Sequence, residues 1–132
     1  MPDVNWIAVL LCAVSSLALG GIWYSPILFA KPWQRAAGLS DEQLKSGNMG
    51  QIFGLTFVLS LVAALMFAMF LGRNFGLGPA IGAGASAGLC WVGASLGISY
   101  LFEHRPLNLW LINGGYHTLQ FTLFGLILGA MR

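Results

Sequence analysis

Four long stretches of the chain contain no Asp, Glu, Lys or Arg, and this pattern limits the folds that the chain can adopt. The stretches are residues 4–30, 46–72, 74–102 and 106–131. Each exceeds the roughly 20 apolar helical residues that cross a hydrocarbon core of about 30 Å. The six Lys or Arg and the four Asp or Glu all lie outside these stretches. The sequence therefore predicts a protein that crosses a membrane several times.

The composition excludes several other classes of protein. Apolar residues make up 58% of the 132 positions and charged residues 8%, whereas roughly a quarter of a soluble domain is charged. A water-soluble monomer is therefore excluded. The net charge of +2 is spread over short connectors, so we expect no nucleic-acid surface. Cys12 and Cys90 lie inside apolar stretches, which gives no support for a disulfide framework, a Cys-rich metal site or a cofactor.

We predict an all-α fold, a single bundle of four transmembrane helices over residues 1–132. Lipid leaves only helices or closed barrels as spanning structures, and continuous apolar runs favour helices over alternating barrel strands. The expected spans are about 5–29, 49–72, 79–102 and 107–131, with an interfacial connector at 31–48. Pro26 predicts a bend or an end in the first span. Ser40 and Gln43 form a capping-box pattern that predicts a short helix over 41–46.

The charges between the spans predict an orientation. One side would carry four cations and the other side two, namely Lys31, Arg35, Lys45 and Arg105 against Arg73 and Arg132. Cytoplasmic loops carry an excess of Lys and Arg. We therefore expect both termini to lie outside the cytoplasm.

Small residues recur at helical spacing and predict close contacts between the spans, because helices in lipid associate through close packing and interhelical hydrogen bonds. They serve to pack helices inside the bundle or to pair copies of the chain, and we expect a homo-oligomer. The residues concerned are Gly84, Gly88, Gly93, Gly97, Gly125 and Gly129.

His117 is the one ionisable side chain inside the apolar stretches, apart from Cys and Tyr. Asn113 and Gln120 recur with it on one helical face, and counting about 1.5 Å per residue places His117 near the midplane. The residues expected to complete a polar cleft at the same depth are Ser16, Ser60, Trp91 and Ser95. Two interpretations stay open: a histidine that is only hydrogen-bonded in the bundle, or one that takes a proton, a cation or a polar solute. No catalytic motif is present, so no enzymatic activity is predicted.

Five blocks in order resemble a known family. They are GIWYSP at 21–26, FAKPW at 29–33, GNM at 47–49, SLGISYLFE at 95–103 and LINGGYH at 111–117. The chain resembles the domain of unknown function 1761 family over essentially its whole length. The resemblance implies a bacterial four-span membrane protein, and we expect it to lie in the cytoplasmic membrane. It implies no activity.

Two functions are compatible with these residues. The first is the binding or passage of a small solute or ion through a polar intramembrane cleft around His117, with any transport path between copies of the chain. The alternative is a noncatalytic membrane module that binds lipid or a protein partner through its glycine-rich helix faces. Membrane lipids are the partners expected in both.

Overall fold

The computed structural model describes residues 4–72 and 75–131, except for the side chain of Met49. Arg73 and Arg132, which entered the charge comparison, lie outside the described residues. Every element that the structure describes is a helix. The helices are α1 (Trp6–Trp23), α2 (Ala30–Ala37), α3 (Asp41–Ser46), α4 (Met49–Leu71), α5 (Leu77–Phe102) and α6 (Leu107–Ala130).

The four long helices form a bundle in which α6 is central. It packs along α5 on one side and against α1 on the other, while α4 packs mainly on α1. The contact between α4 and α6 is slight and includes an edge-on pair of rings, Phe67 and Phe121, whose centroids lie 5.7 Å apart. Because α4 and α5 contact each other little, a groove is left between them.

The two ends of the described chain lie side by side. The Asn5 side chain caps α1 by accepting a hydrogen bond from the Ala8 amide at 3.1 Å, and its own amide donates to the carbonyl of Met131. We call this end of the bundle the terminal end. The opposite end, which carries α2, α3 and the loop before Leu107, is called the connector end.

The apolar core fills the terminal half of the bundle. Phe124 is fully buried there and is surrounded by small and apolar side chains from all four long helices. The buried cluster consists of Val4, Ala8, Val9, Cys12, Ala64, Phe67, Ala68, Leu71, Ala80, Ala87, Phe124 and Leu128. Large apolar side chains on the outer faces, such as Leu59 and Phe70, remain exposed, as expected of faces that meet lipid.

Three helices of the described chain are long and apolar enough to cross a membrane: Trp6–Trp23, Gly50–Leu71 and Leu77–Phe102. The 24-residue helix α6 is not among them. The amides Asn108, Asn113 and Gln120, together with His117, lower its hydropathy. Membrane-compatible helices are therefore found at three of the four predicted spans.

The first span was predicted to reach residue 29, but α1 ends at Trp23. Pro26 has no N–H, and in a helix its ring would clash with the carbonyl of Ile22. That carbonyl instead accepts hydrogen bonds from the amide and hydroxyl of Ser25, at 3.2 and 2.6 Å. Residues 24–29 form turns that lead into α2.

The connector contains one helix that was predicted and one that was not. The capping box is confirmed, since the Gln43 amide donates to the Ser40 hydroxyl and the Ser40 amide donates to the Gln43 side chain. Helix α2 packs against α6 and exposes Lys31 and Arg35, one turn apart.

Within α5, residues Ala87–Gly93 form a π-helical segment. A π turn disrupts the regular hydrogen-bond ladder and often marks a functional site. Here the Trp110 indole N–H donates to the Gly93 carbonyl at 2.8 Å, which ties the end of the segment to α6. Gly97, one turn further on, packs against the same indole.

Glycines bring the backbones of α5 and α6 into direct contact. A Cβ atom at Gly84 would overlap the carbonyl of Phe121, and one at Gly125 would overlap the carbonyl of Ala80. At Gly88 it would lie 2.5 Å from the His117 carbonyl oxygen. Gly129 packs on Leu77 and Ala80 in the same interface. These four glycines are therefore buried between two helices of the same chain.

Candidate functional site

A chain of three buried or half-buried polar side chains joins α6 to α1, and we call it the His117 chain. The Nδ1 atom of His117 donates to Oε1 of Gln120 at 2.8 Å, and Nε2 of Gln120 donates to the hydroxyl of Ser16 at 3.0 Å. Ser16 is fully buried and Gln120 nearly so. Two of the three residues share a face of α6 because they are separated by three positions.

The direction of these hydrogen bonds fixes what His117 offers to a ligand. With the Gln120 amide in this orientation its oxygen faces Nδ1 and can only accept, so a neutral ring carries its proton on Nδ1 and keeps the lone pair of Nε2. Nε2 has no hydrogen-bond partner among the residues that the structure describes. The His117 chain therefore offers one acceptor nitrogen to a ligand near the middle of the bundle.

A second group of polar residues, the Asn113 network, lies one turn closer to the connector end. The hydroxyl of Tyr24 donates to Oδ1 of Asn113 at 2.6 Å, and Nδ2 of Asn113 donates to the hydroxyl of Tyr100 at 2.8 Å. Asn113 thus joins the turn after α1, the end of α5 and the start of α6. Both ends of its amide are satisfied.

Tyr116 links the two groups. Its hydroxyl donates to the backbone carbonyl of Ser16 at 2.9 Å, and its ring lies 5.0 Å from the His117 ring and 5.6 Å from the Tyr24 ring, centroid to centroid. A continuous series of polar and aromatic side chains therefore extends from the connector end to Ser16. Beyond it, towards the terminal end, lie Cys12 and Phe124 of the apolar core.

The remaining residues predicted for the cleft lie elsewhere. Ser60 is buried on α4 and is not part of either hydrogen-bonded group. Trp91 is 60% exposed, and Ser95 is exposed on the same helix. Both line a shallow depression on the surface of α5, and neither is hydrogen-bonded to His117 in the part of the chain that the structure describes. The structure thus brings together Asn113, His117, Gln120 and Ser16 along α6 and α1.

The tyrosines are the site residues that the sequence analysis missed. Tyrosines were set aside in the count of ionisable side chains, yet the hydroxyls of Tyr24, Tyr100 and Tyr116 all take part in the polar groups described above. Depth could have indicated that Tyr24 and Tyr100 lie close to Asn113, since all three residues lie near the connector ends of their helices.

The arrangement does not form a nucleophile and base pair from Ser16 and His117. Gln120 lies between them, and the Ser16 hydroxyl accepts a hydrogen bond from the Gln120 amide. In the part of the chain that the structure describes, no three His, Cys, Asp or Glu side chains group together to hold a metal ion.

The fold and the polar groups together define an all-helical, membrane-compatible bundle. The family described as "Protein of unknown function (DUF1761)" matches residues 7–129, and the chain belongs to that family. Comparison with curated proteins gives no match. Comparison with solved structures gives no match either.

Proposed function

We propose that all four long helices span a membrane and that the protein uses the His117 chain to bind a small solute or ion. The positions of the two ends of the described chain support a crossing by α6. Asn5 and Met131 are hydrogen-bonded, so both ends of the described chain lie on one side. Three crossings would place them on opposite sides, whereas four place them together.

The polar residues of α6 are compatible with this crossing because they face protein. Asn113, His117 and Gln120 each make a hydrogen bond within the bundle. The cost of a polar group in lipid is largely removed when such a partner is present. Lys31, Arg35, Lys45 and Arg105 all belong to the connector end, which supports a cytoplasmic connector end.

The unpartnered Nε2 of His117 is the observation that supports binding. A lone pair without a partner in a half-buried position accepts a hydrogen bond from an ammonium group or a hydroxyl, or takes up a proton. Binding is favoured over passage through a single chain, because Phe124 and the rest of the apolar core fill the terminal half. The proposed binding site therefore lies on the connector side of this apolar core.

An NMR titration tests the proposed binding. The protein is labelled with ¹⁵N-histidine, and the substitution His104→Gln leaves His117 as the only imidazole in the sequence. In lipid nanodiscs we expect the Nε2 resonance to move saturably with ammonium chloride or with glycerol, the two donor probes. Nδ1 should move less, because Gln120 keeps its proton engaged.

Two controls define the outcome. Sodium chloride at the same ionic strength supplies no hydrogen-bond donor, so the ring resonances should stay in place. Thr122→Ala removes a hydroxyl that only donates to the Thr118 carbonyl on its own helix, and the titration should be unchanged. If neither ammonium nor glycerol moves Nε2, or if sodium chloride moves it equally, the proposal is wrong.

A further inference from the structure

Ser60 on α4 carries a buried hydroxyl that has no hydrogen-bond partner among the described residues. The side chain is only 5% exposed. The hydroxyls of Ser15, Thr118 and Thr122, by contrast, donate to carbonyls of their own helices. In the part of the chain that the structure describes, no fully enclosed side-chain oxygen or nitrogen lacks a partner. The Ser60 oxygen therefore borders space that a molecule of the size of water can enter.

The face of α4 that carries Ser60 is turned towards the face of α6 that carries His117. Ser60 precedes Phe67 by seven residues, about two helical turns, so both side chains lie on one face of α4. His117 and Phe121 share a face of α6, because four residues separate them. The rings of Phe67 and Phe121 meet edge-on with their centroids 5.7 Å apart. The ring pair therefore fixes the two faces opposite each other.

Ser60 and His117 also lie at similar heights in the bundle. Both helices run from the connector end to the terminal end. Measured from the ring pair, Ser60 is about 10.5 Å and His117 about 6 Å nearer the connector end, at 1.5 Å per residue. The difference of about 4.5 Å is less than one helical turn. Nε2 of His117 is unpartnered in the described chain and borders accessible space as the Ser60 oxygen does.

The absence of charge in these segments indicates the class of ligand. The four predicted spans contain no Asp, Glu, Lys or Arg, so they supply no counter-charge to a buried ion. An ion without a counter-charge is costly to take out of water, whereas a neutral polar group needs only to have its hydrogen bonds replaced. Nε2 of His117 accepts one hydrogen bond, and the Ser60 hydroxyl accepts or donates another. Two such contacts suit an uncharged molecule with two hydroxyl groups.

We propose that Ser60 is a second contact of the His117 site and that this site takes a small uncharged solute with two hydroxyls. One hydroxyl donates to Nε2 of His117 on α6, and the other is hydrogen-bonded to Ser60 on α4. The solute thereby joins two helices whose direct contact is slight. This inference rests on the proposed function, because it names the ligand class and a further contact of the same site.

Two alcohols of similar size test the contact with Ser60. 1,3-Propanediol carries two hydroxyls and 1-propanol one, and each is titrated into the ¹⁵N-histidine-labelled His104→Gln protein, the parent chain, in nanodiscs. We expect Ser60→Ala to weaken the binding of 1,3-propanediol, measured from the Nε2 resonance, about fivefold, because one hydrogen bond is lost. The binding of 1-propanol should be unchanged, since its one hydroxyl is engaged by Nε2. Each alcohol is compared only with itself, so its partitioning into lipid cancels.

Three further measurements complete the test. Ser60→Cys keeps a similar volume but has a weaker hydrogen-bonding group, so it should weaken 1,3-propanediol binding as Ser60→Ala does. Ser86→Ala removes a hydroxyl that is exposed on α5, and this variant should bind both alcohols as the parent chain does. Ammonium chloride should bind to the parent chain at least about tenfold more weakly than 1,3-propanediol, because its charge stays uncompensated.

The results distinguish this inference from the proposed function. If neither the alcohols nor ammonium move Nε2 in the parent chain, both are wrong. If 1,3-propanediol binds equally well to the parent chain and to Ser60→Ala, or if Ser86→Ala loses as much affinity as Ser60→Ala, the contact with Ser60 is wrong while the His117 site stands. Ammonium binding as tightly as 1,3-propanediol would overturn the assignment of an uncharged ligand.

Discussion

The Ser16 hydroxyl illustrates how much one polar atom contributes inside this bundle. It accepts the Gln120 amide from the neighbouring helix, whereas the adjacent Ser15 hydroxyl donates to the Cys12 carbonyl of its own helix. The two serines are next to each other in sequence and differ in what they connect. Removing the first would leave a buried N–H without a partner, and removing the second would not.

We therefore predict that Ser16→Ala lowers the free energy of unfolding by about 1–2 kcal/mol. Ser15→Ala should change it by less than about 0.5 kcal/mol, because a helical carbonyl loses only an additional donor. Both are measured by reversible denaturation in detergent micelles. Equal effects of the two substitutions would show that the Gln120 contact contributes nothing.

At the scale of helices, the contact between α5 and α6 is set by where glycine lies on α5. Gly84 faces the backbone of α6, whereas Gly82, two positions earlier, has no atom within 4 Å of an added Cβ. Helices in lipid gain their association energy from such close approach. A methyl group added at Gly84 therefore overpacks the contact with α6, whereas one added at Gly82 meets no neighbouring atom.

Gly84→Ala should destabilise the protein by about 1–3 kcal/mol, the usual range for overpacking. Gly82→Ala should leave it unchanged or stabilise it by up to about 1 kcal/mol, because Ala is the better helix former. Thermal unfolding of the two variants in the same detergent gives the comparison. A stable Gly84→Ala variant would mean that α5 and α6 are further apart than described.

The sequence predicted the elements that depend on local signals. The three apolar helices follow from long uncharged stretches, and α3 follows from Ser40 and Gln43. The positions of Trp91 and Ser95 around α5 could not be predicted in the same way. Counting residues gives the depth of a side chain but not its direction, and the π segment Ala87–Gly93 changes the rotation of every residue after it.

The candidate site was predicted only in part, because sequence spacing determines which residues share a helix face but not which residues meet across helices. Asn113, His117 and Gln120 share a face of one helix, which spacing alone determines. Counting residues also placed Ser16 at about the same depth as His117. The hydrogen bonds of Tyr24 and Tyr100 to Asn113 depend on the turn after α1 and on the end of α5, and these are tertiary features that no periodicity encodes.

For the whole molecule, the arrangement of the ends predicts a cross-linking result. In a background with Cys12 and Cys90 replaced by Ala, Asn5→Cys and Met131→Cys should be joined within one chain by a short bis-maleimide, because the side chain of Asn5 reaches the Met131 carbonyl. In sealed vesicles, a membrane-impermeant maleimide should label both cysteines from the same side. As a control, Cys at positions 5 and 39 lies at opposite ends of the bundle and should not be joined. Labelling of positions 5 and 131 from opposite sides would contradict four crossings.

The hydrogen bond between Asn5 and Met131 also has a consequence for engineering. A few glycines joining Met131 to Val4 would close the backbone into a ring and keep Val4 in the apolar core, and the ring could then be reopened within the exposed segment between α2 and α3. The rearranged polypeptide would begin and end at the connector end of the bundle while keeping the contacts between the long helices. Reporter proteins could then be attached on either side without disturbing the bundle.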